Sequence, residues 1–248
     1  MPKIKANIQE IFPSLQGEGL FAGQPQIFLR FSGCNLACSY CDTDISPTEK
    51  CRVHQDAFGQ KYAELLNPLS VPDTARIIGE YAWFSNTVAL TGGEPLLQVE
   101  FLRELLPVLK KKNKQILLET NGTLAEQYNI LAPWLDIVSM DIKLPDAGGQ
   151  PEPWPVHKHF LAQISKKTRC YIKVIIDEQV TANDLKQIAE LLTGRKPLIL
   201  FLQPEAKKLQ AGKLRLKELV QVQTKLKRLL PGHDIRIMPQ LHKLWGIL

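Results

Sequence analysis

The sequence has no long apolar run, although 44% of its 248 residues are hydrophobic. A membrane-spanning helix needs about 20 consecutive apolar residues, whereas the longest apolar stretches of this chain have the length of a single strand. Residues 1–9 also lack a basic region followed by a small-residue cleavage site, which a signal peptide requires. We therefore expect a cytoplasmic protein that does not insert into a membrane.

Cysteine is scarce as well, and its number is odd. The five cysteines are Cys34, Cys38, Cys41, Cys51 and Cys170, of which three are bunched. An odd, uneven set is a poor disulfide framework, and thiols stay reduced in the cytoplasm. The bunching instead favours a bound metal or metal cluster.

The chain also lacks internal repeats, low-complexity segments and an interdomain linker, so we expect one domain over residues 1–248. Its formal net charge is +6, and the basic residues fall mostly in amphipathic segments such as 110–114, 207–208 and 213–228. No aromatic residues interleave a basic stripe, which argues against nucleic acid as a partner. We interpret these segments as solvated helix faces, with docking of an acidic partner protein as the alternative.

Short β-branched and apolar segments alternate with stretches long enough to form helices. The predicted strands are residues 6–12, 27–32, 87–91, 115–119, 136–141, 169–176, 197–203 and 234–238. Predicted helices cover residues 99–112, 181–192 (with Thr181 as N-cap) and 214–230. This alternation predicts an α/β fold in which helices cover a mainly parallel sheet. Periodicity alone leaves open whether the sheet is open or curled into a partial barrel.

Two segments do not fit the alternation and are predicted insertions. Residues 45–69 are polar with weak periodicity, whereas residues 144–156 contain four prolines and two glycines. The second composition is that of a loop, and this loop is a candidate for covering a site.

The bunched cysteines directly follow a predicted strand. Cys34, Cys38 and Cys41 have the spacing C-x3-C-x2-C, which lets three thiolates on one tight loop converge on one metal centre. A structural zinc site needs four ligands, whereas a cubane held by three cysteines leaves its fourth iron open. The spacing therefore favours a [4Fe–4S] cluster with one exchangeable position.

Three alternatives to this cluster remain open on the residues alone. In the first alternative, the cysteines are reduced structural thiols. In the second, His54 or Asp42 completes a zinc site with them. In the third alternative, Cys51 or Cys170 completes a ferredoxin-like electron-transfer cluster.

A second motif lies where another predicted strand ends, at Thr91-Gly92-Gly93-Glu94-Pro95. Two glycines let the backbone approach a ligand, and ligands of parallel α/β sheets gather at the carboxyl ends of strands. Together, this motif and the C-x3-C-x2-C spacing, with an aromatic residue before the last cysteine, resemble the motifs of the radical S-adenosylmethionine (SAM) superfamily. The resemblance implies a partial TIM-like barrel with helices outside, and SAM bound to the open iron.

Three further segments narrow the resemblance. They are Glu10-Ile-Phe-Pro-Ser-Leu-Gln-Gly-Glu-Gly19, Phe28-Leu-Arg-Phe-Ser-Gly-Cys34 and Pro239-Gln-Leu-His-Lys-Leu-Trp-Gly-Ile-Leu248. Together they resemble the 7-carboxy-7-deazaguanine synthase family. That family implies a radical SAM lyase that contracts 6-carboxy-5,6,7,8-tetrahydropterin to 7-carboxy-7-deazaguanine, assisted by Mg²⁺ and with loss of ammonia, for queuosine and related 7-deazapurines.

The resemblance also implies roles for individual residues. The expected substrate contacts are Leu15, Gln16, Gly17, Glu18, Arg30, Thr91 and the carboxylate of Leu248. The expected SAM contacts are Tyr40, Cys41, Asp42, Gly93, Glu94, Asp141, Ile142, Lys143, Gln203, Pro204, Glu205 and Ala206. Glu119 and His242 are candidates for proton handling, and the Thr43 hydroxyl for binding Mg²⁺.

One segment departs from the family pattern, and some alternatives remain. Some members have Ser-Pro-Lys where this chain has Asp141-Ile142-Lys143, so only Lys143 is aligned without a change. The resemblance implies a homodimer and a flavodoxin or ferredoxin as electron donor, with Cys51 and Cys170 as bystanders. The alternatives are another radical SAM enzyme, such as a glycyl-radical activase, and a non-enzymatic zinc or iron–sulfur binding module.

Overall fold

A ten-stranded sheet organises the structure, a computed structural model that describes residues 4–56, 59–145 and 153–248. The strands are β1 (Lys5–Ala6), β2 (Ile8–Leu15), β3 (Pro25–Phe31), β4 (Lys50–His54), β5 (Tyr62–Leu66), β6 (Leu69–Ser70), β7 (Thr87–Gly92), β8 (Gln115–Thr120), β9 (Ile137–Ile142), β10 (Arg169–Ile176), β11 (Ile199–Pro204) and β12 (Asp234–Ile237). The sheet has the order β12-β11-β10-β9-β8-β7-β3-β2-β4-β5, and β1 pairs with β6 in a separate ribbon. The eight predicted strands are confirmed as β2, β3 and β7 to β12.

The central part of the sheet is parallel. Seven neighbouring strands, from β3 through β7 to β12, run in one direction. β2 is antiparallel to β3, and the β4–β5 hairpin continues the sheet beyond β2. Over the described ranges, β5 and β12 are unpaired edges, so the sheet is not closed. The predicted α/β class with an incomplete barrel is confirmed.

Helices follow most of the parallel strands. They are α1 (Val71–Glu80), α2 (Val99–Lys111), α3 (Ala125–Leu131), α4 (Trp154–Gln163), α5 (Ala182–Leu192), α6 (Ala206–Gln210), α7 (Leu216–Leu229) and α8 (Leu241–Trp245). The Thr181 hydroxyl caps α5 as predicted, because it accepts a hydrogen bond from the Asp184 amide. None of the helices in these ranges combines the length and apolar character needed to cross a bilayer.

Strand alternation gives the sheet two apolar faces. Residues that face the helices belong to the larger core and include Leu90, Leu118, Val138, Ile172 and Leu200. Residues of the inner face form a second cluster, which includes Phe12, Phe28, Ala89, Leu117, Ile137, Tyr171 and Phe201. Because successive side chains point to opposite faces, both sides of each central strand are buried. This explains the nearly continuous apolar runs of the sequence.

The inner face becomes polar toward the carboxyl ends of the strands. Arg30 is in register with Thr91, and Glu119 with Ser139. Each of these four residues lies two positions after an apolar inner-face residue of its own strand. The fold therefore places a polar layer above an apolar floor, and this layer positions the site.

The two predicted insertions differ in what the structure describes. Residues 45–69 contain the β4–β5 hairpin and a cis peptide bond between Asn67 and Pro68. The strand β5 is mostly exposed, which accounts for its weak periodicity in the sequence. Most of the second segment, 146–152, lies outside the described residues, and α4 begins within its last part.

Candidate active site

A cavity of about 210 Å³ occupies the inner face of the sheet, above the apolar floor. All but three of the residues predicted for the site line this cavity. They are Leu15, Gln16, Gly17, Glu18, Arg30, Cys34, Cys38, Tyr40, Cys41, Asp42, Thr43, Thr91, Gly93, Glu119, Asp141, Lys143, Gln203, Glu205, Ala206, His242 and Leu248. The fold thus brings together residues that are spread over most of the chain.

The three exceptions are Glu94, Ile142 and Pro204, which are buried and do not line the cavity. Ile142 packs in the core on the helix side of the sheet. The Glu94 carboxylate accepts hydrogen bonds from the Thr120 hydroxyl at 3.0 Å and the Asn121 amide at 2.8 Å. Burial nevertheless raises the pKa of Glu94 to about 7. Their roles in SAM binding stay predictions.

The cysteine loop leaves the carboxyl end of β3 and lines one end of the cavity. Cys34, Cys38 and Cys41 all face this end, and the Cys41 amide donates to the Cys38 carbonyl at 3.1 Å, which forms a tight turn. Cys51 is fully buried in the core, and Cys170 packs at its edge. Neither of these two lines the cavity, which removes the predicted alternative of a fourth cysteine ligand.

The donor set fits a cubane better than a single metal ion. Within the described ranges, no three or more His, Cys, Asp or Glu side chains are arranged to hold one ion. His54 bonds Glu10, and Asp42 forms an ion pair with Lys243, so neither completes a zinc site. A cubane binds each thiolate at a different iron, so its cysteines need not meet at one point. Burial raises the pKa of the Cys34 and Cys38 thiols, so iron binding has to displace their protons.

The glycine turn after β7 packs directly on the start of the cysteine loop. A Cβ atom at Gly93 would lie 1.9 Å from the Gly33 carbonyl oxygen, so only glycine fits there. The Glu94 amide donates to the same carbonyl at 2.9 Å. The close contact fixes the loop relative to the strand ends, which is the arrangement that the two motifs predicted.

Amide and hydroxyl groups line another part of the cavity. The Glu119 carboxylate accepts hydrogen bonds from the Thr91 hydroxyl at 2.6 Å and from the Gln16 side-chain amide at 3.0 Å. Gln16 also donates to the Gln26 side chain at 3.0 Å. The three cavity-lining side chains thus form one connected set of donors and acceptors, which suits a flat heterocycle with polar edges.

A buried ammonium group also lines the cavity. The Lys173 side chain is 3% exposed and forms ion pairs with Glu18 and with Asp141, the latter at 3.2 Å. Burial alone would lower the pKa of Lys173, but the surrounding carboxylates raise it well above its ordinary value. Burial would likewise raise the pKa of Glu18, yet Lys173 lowers it to about 2. Both groups are therefore charged at neutral pH.

Other ion pairs surround the cluster end. Lys143 lies 3.2 Å from the Asp141 carboxylate and 5.5 Å from the centre of the Tyr40 ring. Burial opposes the charge of Lys143, but the Asp141 carboxylate raises its pKa above the ordinary value. Asp42 is paired with Lys243 of α8, and the neighbouring Thr43 also lines the cavity. This end is therefore rich in charges that suit a zwitterionic ligand.

The C-terminal segment closes the side of the cavity. A Cβ atom at Gly17 would lie 2.2 Å from Nδ1 of His242, so the two segments are in close contact. Burial lowers the pKa of His242 below its ordinary value. The Leu248 carbonyl accepts a hydrogen bond from the Ser14 hydroxyl at 2.9 Å. The segment thereby packs against the loop that carries the Gln-Gly-Glu sequence.

Several cavity residues were missed in the sequence. The most important are Lys173, Asn121 and Gln240, of which Gln240 donates to Glu18 at 2.7 Å and Asn121 donates to Asn35 at 2.9 Å. Lys173 interrupts an otherwise apolar predicted strand, which is a usable signal. Asn121 directly follows Thr120 at a predicted strand end, the position where ligands gather.

The geometry can be compared with known proteins. Residues 29–169, more than half of the chain, match the Radical SAM superfamily. The 7-carboxy-7-deazaguanine synthase of Geobacter sulfurreducens is 33% identical, and the alignment covers both chains in full. The enzyme of the same name from Methanopyrus kandleri is 36% identical over 96% of this chain and 92% of its own.

A solved structure supports the same family. The crystal structure of QueE from Escherichia coli aligns with a TM-score of 0.61 and 25% identity, over 96% of this chain and 95% of that one. The non-enzymatic binding module considered above does not agree with these findings. The chain is a radical SAM enzyme and belongs to the 7-carboxy-7-deazaguanine synthase family.

Proposed function

We propose that this enzyme converts 6-carboxy-5,6,7,8-tetrahydropterin to 7-carboxy-7-deazaguanine with loss of ammonia, in the biosynthesis of queuosine and related 7-deazapurines. The observation that carries the proposal is a single cavity lined both by the cysteine loop and by a set of amide and hydroxyl side chains. The names of the relatives aligned over their full length support the product.

The cluster end would hold a [4Fe–4S] cluster on Cys34, Cys38 and Cys41, with SAM beside Gly93 and Lys143. When bound, cluster and SAM together supply the radical that begins the reaction. The residues of this chain then have to position the SAM sulfonium and keep water out. The close packing of Gly93 on the cysteine loop and the charges of Asp141 and Lys143 suit that task.

The amide-lined part of the cavity would bind the pterin. Gln16 and Thr91 present donors and acceptors to the ring edges, above the floor of Phe12 and Phe28, whose rings stack 5.0 Å apart. Arg30 lines the same wall, and its planar guanidinium suits the 6-carboxylate. Arg30 would therefore orient the substrate through its 6-carboxylate, and Gln16 and Thr91 would orient it through the edges of the ring.

Proton handling falls to Glu119 and His242. The loss of ammonia requires a proton to reach the departing nitrogen and another to leave the ring. Glu119 already holds hydrogen bonds from Thr91 and Gln16, which position its carboxylate in the pocket. Burial lowers the pKa of His242, so its neutral imidazole is available to accept a proton at pH 7.

The Thr43 hydroxyl is proposed to bind Mg²⁺ together with substrate oxygens. Mg²⁺ commonly takes few protein ligands and completes its octahedron with substrate and water. Thr43 lies on the cavity wall beside the cysteine loop. In this position it would let the ion contact the substrate carboxylate.

The setting of the reaction is proposed on the same basis. We expect a cytoplasmic homodimer that takes electrons from a flavodoxin or ferredoxin. We also expect a single domain that carries insertions at 45–69 and 144–156, because the one sheet extends from the N-terminal to the C-terminal part of the described chain.

The direct experiment is an anaerobic assay of the reconstituted protein with SAM, a reductant and 6-carboxy-5,6,7,8-tetrahydropterin. We expect 7-carboxy-7-deazaguanine and ammonia, identified by mass spectrometry, with a lower rate after Mg²⁺ is chelated. Omitting SAM is the control and should abolish the product. SAM cleavage without a 7-deazapurine product would refute the proposed substrate but leave the superfamily assignment intact.

The cysteine assignment predicts the effect of Cys38→Ala. The variant should lose its bound iron, its visible absorbance and all turnover, because two thiolates do not retain the cubane. Cys170→Ala is the matched control, since that thiol lies outside the cavity, and it should keep both iron and activity. Full activity in Cys38→Ala would remove the cluster from the mechanism.

The buried ion pairs predict the effect of Lys173→Met. The variant removes the lysine partner of Glu18 and one of the two lysine partners of Asp141, so we expect it to lose about 3–5 kcal/mol of stability and most of its turnover. The pKa of Glu18, normally 4.5, is lowered to about 2 in the folded protein. Its contribution to the free energy of unfolding is therefore present above about pH 4.5 and lost as the pH falls toward 2.

This pH dependence is the readout for that variant. Thermal unfolding followed by circular dichroism from pH 7 to pH 3 should show a smaller acid-induced loss in Lys173→Met than in the wild type. Lys186→Met is the control, because Lys186 forms an exposed pair with Glu190 on α5. Equal stability and equal pH profiles for Lys173→Met and the wild type would contradict the role of the ammonium.

A further inference from the structure

A line of hydrogen bonds runs from the β4–β5 hairpin to the wall of the cavity. Nε2 of His54 donates to one oxygen of the Glu10 carboxylate at 3.0 Å. The other oxygen of Glu10 accepts from Nε of Arg30 at 2.7 Å. Three residues from three adjacent strands, β4, β2 and β3, are thus connected in one row. Only the last of them lines the cavity.

Arg30 is held in a single orientation by this row. Its guanidinium lies 5.2 Å from the centre of the Phe12 ring, which restricts the plane of the group. Among the described residues, the Arg30 guanidinium has one hydrogen-bond partner, Glu10, which it contacts through Nε. Its two terminal nitrogens therefore remain for a ligand. A planar group fixed at Nε presents those nitrogens as a fork, which matches a carboxylate.

Glu10 is the link and is itself buried, at 6% exposure. Burial alone would raise its pKa, but the hydrogen bond from His54 and the charges of Arg30 and Arg52 lower it. Arg52 lies 3.4 Å from the carboxylate but is half exposed, so solvent screens its contribution. His54 is 2% exposed, so its bond to Glu10 is the one least weakened by water.

The position of His54 is fixed from several sides. The His54 carbonyl oxygen accepts a hydrogen bond from the hydroxyl of Tyr81, the residue directly after α1. The imidazole packs edge-on to Phe12 and lies 5.4 Å from the Tyr62 ring of β5. Its Nδ1 is buried and has no hydrogen-bond partner within the described part of the chain. The ring is therefore used only through the nitrogen that faces Glu10.

We propose that His54 is a positioning residue for the substrate carboxylate, acting through Glu10 on Arg30. The proposal rests on the proposed function, in which Arg30 binds that carboxylate. The proposal gives the predicted insertion at 45–69 a function. Its strand β4 pairs with β2 and thereby places the buried His54 donor next to Glu10, which in turn contacts Arg30. Without that donor the Glu10 carboxylate keeps only Arg30 and the half-exposed Arg52 as charged partners, and the fork of Arg30 is held less firmly.

The test compares His54→Ala with His54→Gln in anaerobic steady-state assays of the reconstituted enzyme. His54→Ala should raise KM for the carboxytetrahydropterin on the order of tenfold, with a much smaller change in kcat, because the contact serves ground-state binding. In His54→Gln the side-chain amide can donate to Glu10, so KM should return toward the wild-type value. Lys50→Ala is the matched control, since Lys50 is an exposed residue of the same strand paired with Glu64.

A second measurement separates positioning from a structural role. The competitive inhibition constant of tetrahydropterin without a 6-carboxylate should be the same in His54→Ala and the wild type. Equal weakening of both ligands, a lower kcat at unchanged KM, or no rescue in His54→Gln would overturn the proposal. Absence of turnover in the wild type would instead refute the proposed function, so the two failures are distinct.

Discussion

The site depends on one buried cation, the ammonium group of Lys173. It is paired with Glu18, which belongs to the loop after β2, and with Asp141, which lies near the end of β9. Both carboxylates reach the same ammonium nitrogen from distant segments of the chain, and burying Glu18 without a cation would cost several kcal/mol. The lysine thus connects the loop after β2 to the end of β9, and it keeps Glu18 ionised.

The register of the parallel strands explains why so many polar groups meet there. The inner face begins with an apolar floor and becomes polar two residues later on each strand, so one sheet provides both a packed core and a site. Over the described ranges the sheet is not closed, and the loop with Gln16 and the C-terminal segment with His242 both line the cavity and contact each other.

Much of this arrangement could be predicted from the sequence. Most of the eight predicted strands were visible because strands buried on both faces read as apolar runs. The cysteine loop and the Gly93 turn were visible because their spacing is local. The α/β class, the incomplete barrel and the family are confirmed, and most predicted site residues line one cavity.

The remainder depends on contacts between distant segments. Lys173 belongs to a predicted strand, but only the register of β10 with β9 brings it to Asp141. The β4–β5 hairpin has an exposed edge strand, so its alternation is weak, and the pairing of His54 with Glu10 spans 44 residues. The role of Glu94 in SAM binding stays a prediction, and the burial of its carboxylate against Thr120 and Asn121 also depends on contacts between distant segments. No local pattern distinguishes these outcomes.

The most direct test is an anaerobic crystal structure of the reconstituted protein with SAM and 6-carboxy-5,6,7,8-tetrahydropterin. We expect both ligands in the one cavity, with SAM at the cysteine loop and the pterin carboxylate on the fork of Arg30. We also expect Lys173 to remain between Glu18 and Asp141. A pterin bound outside this cavity, or a cluster with a fourth protein ligand and no SAM, would contradict the proposed arrangement.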